Sequence, residues 1–163
     1  GPAPEARTDT DPMPRPDVLT PTTLPAAIAG TFRWPLRIYW EDTDAGGVVF
    51  YANYLKFFER GRTEWLRALG YGQEGMRRDD GAMFVVTETN VRYRQPARLD
   101  DAVVVTVQVA QAGRASLVLD QQALRDDGTL LAEGRIRIGC VDAGTFRPRR
   151  MPAALLATLG IEA

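Results

Sequence analysis

Residues 41–54, EDTDAGGVVFYANY, place carboxylates, paired glycines and the start of an amphipathic pattern within one short segment. A carboxylate such as that of Asp44 can attack a carbonyl carbon or hold a water molecule beside it. The first turn of a helix has unpaired backbone N–H groups and a positive dipole end, which stabilise negative charge on a carbonyl oxygen. Gly46 and Gly47 let the backbone approach a substrate closely. The segment is a candidate site for attack on a carbonyl group, although an ordinary acidic turn would use the same residues.

The chain of 163 residues contains no histidine, and this excludes several classes of catalytic site. Ser-His-Asp and Cys-His systems, histidine general bases and metal sites with histidine ligands cannot form within it. Acid-base or nucleophilic chemistry must come from carboxylates, tyrosine, lysine, a thiol, backbone amides or water. We expect no cofactor and no metal ion.

Charge and cysteine content narrow the partners and the compartment. The 20 Lys and Arg residues nearly balance 21 Asp and Glu residues, for a net charge of −1, so no basic excess favours nucleic acid. No apolar run approaches the ~18 residues that a bilayer-spanning helix needs. Cys140 is the one cysteine, cannot form an internal disulfide and is expected to pack as a small hydrophobic side chain. We predict a cytoplasmic protein with no transmembrane segment.

Residues 1–30 differ in composition from the rest of the chain. They contain seven of the 11 prolines and none of the aromatic residues. Such a segment has little to bury, so it is predicted to be a disordered, proline-rich tail that precedes one domain over residues 31–163. A second interpretation is a polyproline ligand built on Pro12, Pro14 and Pro16.

The domain begins with a strand and a long helix. Leu36, Ile38 and Trp40 alternate with other residues and predict a strand over 33–41. From Ala52 to Leu69 the period becomes helical. The apolar stripe of this helix consists of Tyr54, Phe58, Gly61, Trp65 and Ala68, widened by Leu55, Phe57, Leu66 and Leu69.

Small polar residues and glycines mark this helix at three points. Asn53 is suited to cap the start and Gly70 to end the helix. Gly61 lies in mid-helix, where glycine costs about 1 kcal/mol relative to alanine. Either another backbone approaches closely there or the glycine is simply tolerated.

Strands follow the helix to the end of the domain. Apolar alternation between turn signals predicts strands over 82–95, 102–111, 115–125 and 129–141, with a short helix near 152–159. One long helix against one antiparallel sheet is an α+β architecture.

The run RIYWEDTDAGGVVFYANYLKFFERGRTEWLRALG resembles the N-terminal signature of the hotdog-fold thioesterases. It is most similar to the 4-hydroxybenzoyl-CoA thioesterase family and, within it, to the Tol-Pal-associated acyl-CoA thioesterases of Gram-negative bacteria. The match is dense over residues 36–69, in the order D-x-D-x-x-G-x-V-x-x-x-x-Y followed by an aromatic helix. It continues more weakly through 86–101 and 140–152, so that the resemblance covers about residues 33–155.

The resemblance implies a hotdog fold, in which an antiparallel sheet wraps around one long central helix. It implies an acyl-CoA thioesterase acting on short-chain or aromatic substrates, as a homo-oligomer (dimer or tetramer) with active sites at the dimer interface. The matching positions assign Asp44 as the catalytic carboxylate, either nucleophile or general base. They also assign the backbone N–H of Tyr51 as the group that polarises the thioester carbonyl, and Gly46, Gly47 and Val48 as the substrate-binding loop.

One departure concerns Tyr51, since many Tol-Pal-associated members have histidine there, whereas the hydroxybenzoyl-CoA enzymes have tyrosine. Asp42 is interpreted as a turn or helix-orienting residue, and Glu59 and Glu64 as solvated or salt-bridged helix positions. The arginines available for coenzyme A phosphates are Arg92, Arg94, Arg147, Arg149 and Arg150, none of which the sequence assigns to the site.

One further function fits part of the sequence, and a third class is set aside. A non-catalytic interaction module of the cell-envelope or lipid-synthesis machinery would use the proline-rich tail. Hotdog dehydratases normally use histidine, which this chain lacks.

Overall fold

In the computed structural model, which describes residues 18–19 and 24–162, the long helix α1 spans Asn53–Ala68. Its bounds lie within one residue of those expected from the sequence. Tyr54, Phe58 and Trp65 of the predicted stripe are buried. Ala68 is exposed and Leu55 is 44% exposed, so the buried face is narrower than the stripe predicted.

Five strands form one antiparallel sheet in the order β1-β3-β4-β5-β2. The strands are β1 Thr31–Arg37, β2 Ala82–Tyr93, β3 Ala102–Ala112, β4 Ser116–Arg125 and β5 Leu130–Asp142. Each corresponds to a strand expected from the sequence. The α+β prediction is confirmed, and β1 and β2 form the two edges of the sheet.

The sheet has an apolar inner face and a polar outer face, because successive side chains of a strand point to opposite sides. On β3, Val103, Val105 and Val107 are buried on the inner face, against which α1 packs. On the outer face, Arg135 donates two hydrogen bonds to the carboxylate of Asp120, at 2.8 and 2.9 Å. The apolar face therefore seats α1 over the middle of the sheet.

Gly61 is required by this contact. A Cβ atom added there would lie 2.7 Å from Cγ1 of Val105 and 3.2 Å from Nε2 of Gln121. The predicted close approach exists, but side chains of the sheet make it and not a second backbone. The glycine lets α1 lie close to β3 and β4.

The first strand ends earlier than predicted. β1 stops at Arg37, and Trp40–Asp42 form a 3₁₀ turn within the segment expected to be strand. The turn forms because the Asp42 carboxylate accepts the Tyr39 backbone N–H at 2.9 Å while the Asp42 N–H donates to the Tyr39 carbonyl at 3.0 Å. Ile38 is buried as expected, but Trp40 is 80% exposed, so the alternation was wrong at Trp40.

A second helix, α2, spans Gln73–Asp80, between the helix expected over 52–69 and the strand expected over 82–95, where no element is predicted from the sequence. Met76 is the one buried residue of α2, so the segment lacks the repeated apolar positions that would predict a helix. Ion pairing supports it, since Arg77 and Glu74 approach to 2.6 Å one turn apart.

The expected C-terminal helix, α3, spans Ala153–Leu159 and ends at Gly160, which has φ 78°. Among the helices of the described residues, none is long and apolar enough to cross a bilayer.

Parts of the N-terminal segment contact the domain. The Leu19 N–H donates to the Ala112 carbonyl at 2.8 Å, and the Ala112 N–H donates back at 2.9 Å. Ile28 is 2% exposed. Residues 1–17 and 20–23 lie outside the described residues, so the disordered tail and the polyproline interpretation of Pro12, Pro14 and Pro16 stay predictions.

Candidate active site

The loop that carries Asp44 is a tight turn stabilised by its own backbone. The Asp44 N–H donates to the Val48 carbonyl at 2.9 Å, and the Gly47 N–H donates to the Asp44 carbonyl at 3.0 Å. Gly47 has φ +77°, a conformation that glycine adopts without strain. Thr43 and Val49 pair across the base of the turn. The loop therefore has a defined shape before any substrate is bound.

The carboxylate of Asp44 is exposed and folds back onto this turn. Its Oδ1 accepts a hydrogen bond from the Gly46 N–H at 2.8 Å, and the Val48 N–H lies 3.5 Å away. A Cβ at residue 46 would lie 3.2 Å from the same oxygen, so the glycine leaves room for the carboxylate. Oδ2 has no hydrogen-bond partner among the described residues, and can meet a ligand or water.

Asp42 links the loop to the helix. It is 3% exposed, and its Oδ1 accepts a hydrogen bond from the side-chain amide of Asn53 at 3.1 Å. This supports the orienting role expected for Asp42. The expected cap was wrong: α1 begins at Asn53, Ala52 is the N-cap residue, and the Asn53 side chain donates to Asp42 and caps no backbone group.

The N-terminus of α1 presents free donors. The Asn53 N–H donates to the Phe50 carbonyl at 2.9 Å, and the Phe50 N–H donates to the Asp42 carbonyl at 3.1 Å. Between them, the backbone N–H groups of Tyr51 and Ala52 have no acceptor among the residues that the structure describes. They lie at the positive end of the helix dipole, where an anionic oxygen is stabilised.

A cavity of about 250 Å³ lies beside Tyr51. Its aromatic wall is formed by Tyr51, Tyr54 and Tyr93, with ring centroids 6.0 Å apart for Tyr51 and Tyr93 and 5.5 Å apart for Tyr54 and Tyr93. The Tyr54 hydroxyl accepts the Ala97 N–H at 3.2 Å, which fixes its ring. Burial raises the pKa of Tyr54 and of Tyr93, so both phenols stay neutral at physiological pH. We call this space the aromatic cavity.

Sequence reasoning missed Tyr93 as a neighbour of Tyr51. It lies at the end of β2, whereas Tyr51 precedes α1. No local signal in the sequence indicated which residue near the start of α1 Tyr93 meets.

A second cavity, of about 340 Å³, lies between α1 and the edge strand β2. Leu55, Glu59 and Arg62 line it from the helix, and Phe84 and Val86 line it from the strand. Leu55 and Val86 are 44% and 50% exposed, unlike the helix residues that face β3. We call this space the α1–β2 cavity.

The other charged residues considered from the sequence lie at several separate places in the fold. Glu64 pairs with Arg67 at 2.7 Å, as expected for a salt-bridged helix position. Arg94 lines the aromatic cavity and donates to Glu133 at 2.8 Å. Arg92 lies on the outer face of the sheet, where it lines a polar cavity of about 520 Å³ that contains none of residues 41–54.

Near the C-terminus, Arg149 donates to the Asp80 carbonyl at 2.8 Å and Arg147 is exposed. Cys140 is 1% exposed and burial raises the pKa of its thiol, which agrees with a packing role.

The chain is similar to known thioesterases. A family model described as the thioesterase-like superfamily matches residues 38–159. The chain is 42% identical over 126 residues to the acyl-CoA thioester hydrolase YbgC of Escherichia coli. This match covers 77% of the chain and 93% of the relative. This chain belongs to the thioesterase-like superfamily. The acyl-CoA thioesterase YbgC of Haemophilus influenzae is 38% identical to this thioesterase. That match covers 77% of this chain and 92% of the relative.

A solved structure extends the comparison. The DHNA-CoA thioesterase of Staphylococcus aureus superposes on this thioesterase with a TM-score of 0.70 at 26% identity, over 74% of this chain and 80% of that chain. The resemblance read from residues 36–69 is thereby confirmed, together with the hotdog fold and the prediction that the protein is a thioester hydrolase.

Proposed function

We propose that this thioesterase hydrolyses acyl-CoA thioesters with short-chain or aromatic acyl groups to the free acid and coenzyme A. One observation carries the proposal. The exposed Asp44 carboxylate lies on a preshaped loop, and that loop leads within a few residues to the free Tyr51 N–H at the start of α1. The names of the Escherichia coli and Haemophilus influenzae relatives, which specify acyl-CoA, support the substrate class.

In this proposal the thioester oxygen accepts a hydrogen bond from the Tyr51 N–H, and the helix dipole stabilises the negative charge that develops on it. Asp44 then acts in one of two ways. Its carboxylate attacks the carbonyl carbon, expels the thiolate of coenzyme A and leaves a mixed anhydride that water cleaves. Alternatively, it removes a proton from a water molecule, whose oxygen attacks the same carbon.

Gly46, Gly47 and Val48 form the loop that lies against the substrate in this proposal. Gly46 donates to Asp44, and Gly47 provides the positive φ of the turn. The aromatic cavity suits an aromatic acyl group, because aromatic rings pack favourably edge to face. Its position beside Tyr51 puts such a ring next to the proposed oxyanion site. No cofactor or metal ion takes part.

The proposed active form is a homo-oligomer, dimer or tetramer. β2 is an edge strand of 12 residues, and an edge strand carries unpaired N–H and C=O groups on one side. Val86 and Tyr93 on this strand are 50% and 47% exposed, and Tyr51 beside it is 63% exposed. A second copy that pairs along β2 would cover these side chains and close the two cavities. The predicted cytoplasmic location is part of the same proposal.

Thiol release from a panel of acyl-CoA substrates tests the function. We expect hydrolysis by the wild type and a loss of at least about 100-fold in kcat for Asp44→Asn, which keeps the shape of the side chain but removes its charge. Asp126→Asn is the matched control, since Asp126 is exposed on the turn between β4 and β5. Equal rates for the wild type and Asp44→Asn would exclude Asp44 as the catalytic group, and no hydrolysis of any substrate would exclude the function.

A further inference from the structure

Arg62 is a half-buried cation whose position is fixed by the core. Its Nη1 donates to Oε1 of Gln121 at 2.9 Å. Gln121 is 1% exposed and donates through Nε2 to the Phe58 carbonyl at 3.0 Å. The guanidinium therefore cannot swing freely into solvent as a surface arginine does.

Among the described residues, no carboxylate lies within salt-bridge distance of the Arg62 guanidinium. Gln121, which accepts its hydrogen bond, is neutral. Burial lowers the pKa of Arg62, and the charge of nearby Glu59 opposes this only in part. A guanidinium has five N–H donors, and a buried charge is normally paired. The remaining donors are available to an acceptor that comes from outside the chain.

Arg62 is one of the residues that line the α1–β2 cavity. Apart from Lys56, Glu59, Arg62 and Gln73, the lining side chains are apolar. Two cations and one anion give the lining a net charge of +1. The cavity therefore suits an elongated apolar group with an anionic end.

The cavity lies on the same side of α1 as Tyr51. Leu55 and Arg62 lie seven residues apart on one face of α1, and Tyr51 lies four residues before Leu55 in the turn that leads into the helix. At the rise of a helix, residues 51 and 62 are separated by roughly 16 Å along the axis. Because a helical side chain points back toward the N-terminus, the distance from the Tyr51 N–H to the Arg62 guanidinium is roughly 10 Å. An extended chain covers about 1.2 Å per bond, so an acyl group of about six to eight carbons would reach from one site to the other.

Building on the proposed acyl-CoA hydrolysis, we propose that Arg62 is a specificity-determining residue that binds a carboxylate at the far end of the acyl group. The preferred substrates are then coenzyme A monothioesters of dicarboxylic acids with about six to eight carbons. Arginine suits this role because its planar fork binds a carboxylate through two parallel hydrogen bonds.

Matched pairs of thioesters test the inference. Adipoyl-CoA and hexanoyl-CoA have six-carbon acyl groups that differ in the terminal carboxylate, and succinyl-CoA and butyryl-CoA form the pair that is too short to reach Arg62. We expect wild-type kcat/KM to be at least about tenfold higher for adipoyl-CoA than for hexanoyl-CoA, without such a preference for succinyl-CoA over butyryl-CoA.

Arg62→Met should remove the preference for adipoyl-CoA, while Arg62→Lys, which keeps the charge, should retain part of it. Arg67→Met is the matched control, because Arg67 lies on the same helix but is exposed and paired with Glu64. Its adipoyl-to-hexanoyl ratio should equal that of the wild type. Thermal melting of each variant shows whether it is folded. If Arg62→Met does not fold, the wild-type kcat/KM ratios for the two pairs of thioesters test the inference by themselves.

The outcomes are distinguishable. Hydrolysis of hexanoyl-CoA at least as fast as adipoyl-CoA by the wild type overturns the inference and leaves the proposed function intact. An adipoyl preference that persists in folded Arg62→Met also overturns it. Hydrolysis of aromatic acyl-CoAs without hydrolysis of any of the four thioesters overturns the inference alone. Failure to hydrolyse all of these substrates overturns the proposed function and, with it, the inference.

Discussion

The side-chain amide of Asn53 donates a hydrogen bond to the buried carboxylate of Asp42 at 3.1 Å, across eleven residues of chain. The second oxygen of Asp42 accepts the Tyr39 N–H at 2.9 Å. Between Asp42 and Asn53 lies the loop that carries Asp44. Asp42 therefore links the residues before this loop to the start of α1, and this fixes the position of the Asp44 carboxylate relative to the helix N-terminus.

Replacing Asp42 by alanine should lower both stability and activity. The change leaves the Tyr39 N–H and the Asn53 amide without their acceptor, which we expect to lower the free energy of unfolding by about 2 to 3 kcal/mol. Urea denaturation measures this loss. At temperatures where the variant is folded, kcat should fall because the loop is no longer anchored to α1. Asp126→Ala, at an exposed carboxylate, should change neither quantity, and an Asp42→Ala variant as stable as the wild type would contradict the anchoring role.

The backbone N–H of Tyr51 can be removed by substitution with proline. Residue 51 directly precedes the N-cap residue Ala52, and its N–H has no acceptor among the described residues, so proline removes no hydrogen bond of the fold. If this N–H binds the thioester oxygen, Tyr51→Pro should lower kcat by about 100-fold or more, as for other oxyanion donors. Tyr51→Ala also removes the ring but keeps the N–H, and it serves as the control, with kcat expected well above that of Tyr51→Pro. Circular dichroism confirms that the helix is present, and an active, folded Tyr51→Pro would refute the assignment.

A methyl group at residue 46 should displace the Asp44 carboxylate. The new Cβ would lie 3.2 Å from Oδ1 of Asp44, so the carboxylate must shift by a few tenths of an ångström. We expect Gly46→Ala to lower kcat/KM by about tenfold, since misplacement by a full ångström can cost about 100-fold. Steady-state kinetics measure the effect.

The chain provides a close control for this experiment. Gly144 donates to Oδ1 of Asp142 at 2.9 Å, much as Gly46 donates to Asp44, and a Cβ there would lie 3.4 Å from that oxygen. Because this second turn follows β5 and belongs to neither cavity, Gly144→Ala should leave kcat/KM unchanged. Equal losses in both variants would show that the effect is one of stability.

Gly61→Ala should destabilise the protein although alanine is the better helix former. A Cβ at residue 61 would lie 2.7 Å from Cγ1 of Val105, and overpacking of this kind costs about 1 to 3 kcal/mol. In α2, the nearest atom to a Cβ at Gly75 is 3.9 Å away at the flexible end of Arg78. Gly75→Ala should therefore stabilise the protein by up to about 1 kcal/mol. Chemical denaturation distinguishes the two signs, and a stabilising Gly61→Ala would contradict the close contact.

Local patterns in the sequence were sufficient for much of the fold. The helical period over 52–69 and the alternation of the later strands arise from burial of one face, and burial repeats with the geometry of the element itself. They predicted α1 and all five strands. The same reasoning missed α2, whose single buried residue leaves no period to read, and it placed Trp40 in the strand because alternation alone cannot detect the turn induced by Asp42.

The candidate site divides in the same way. By itself, the sequence determined the segment that carries Asp44, Gly46, Gly47 and the start of the helix, because these groups lie within a few residues of one another. It could not determine the partners that come from other elements. Tyr51 meets Tyr93 and Arg62 meets Gln121 only after strand register and helix position are set. The tertiary structure decided these contacts, because many side chains share a face and packing across the whole sheet selects which of them touch.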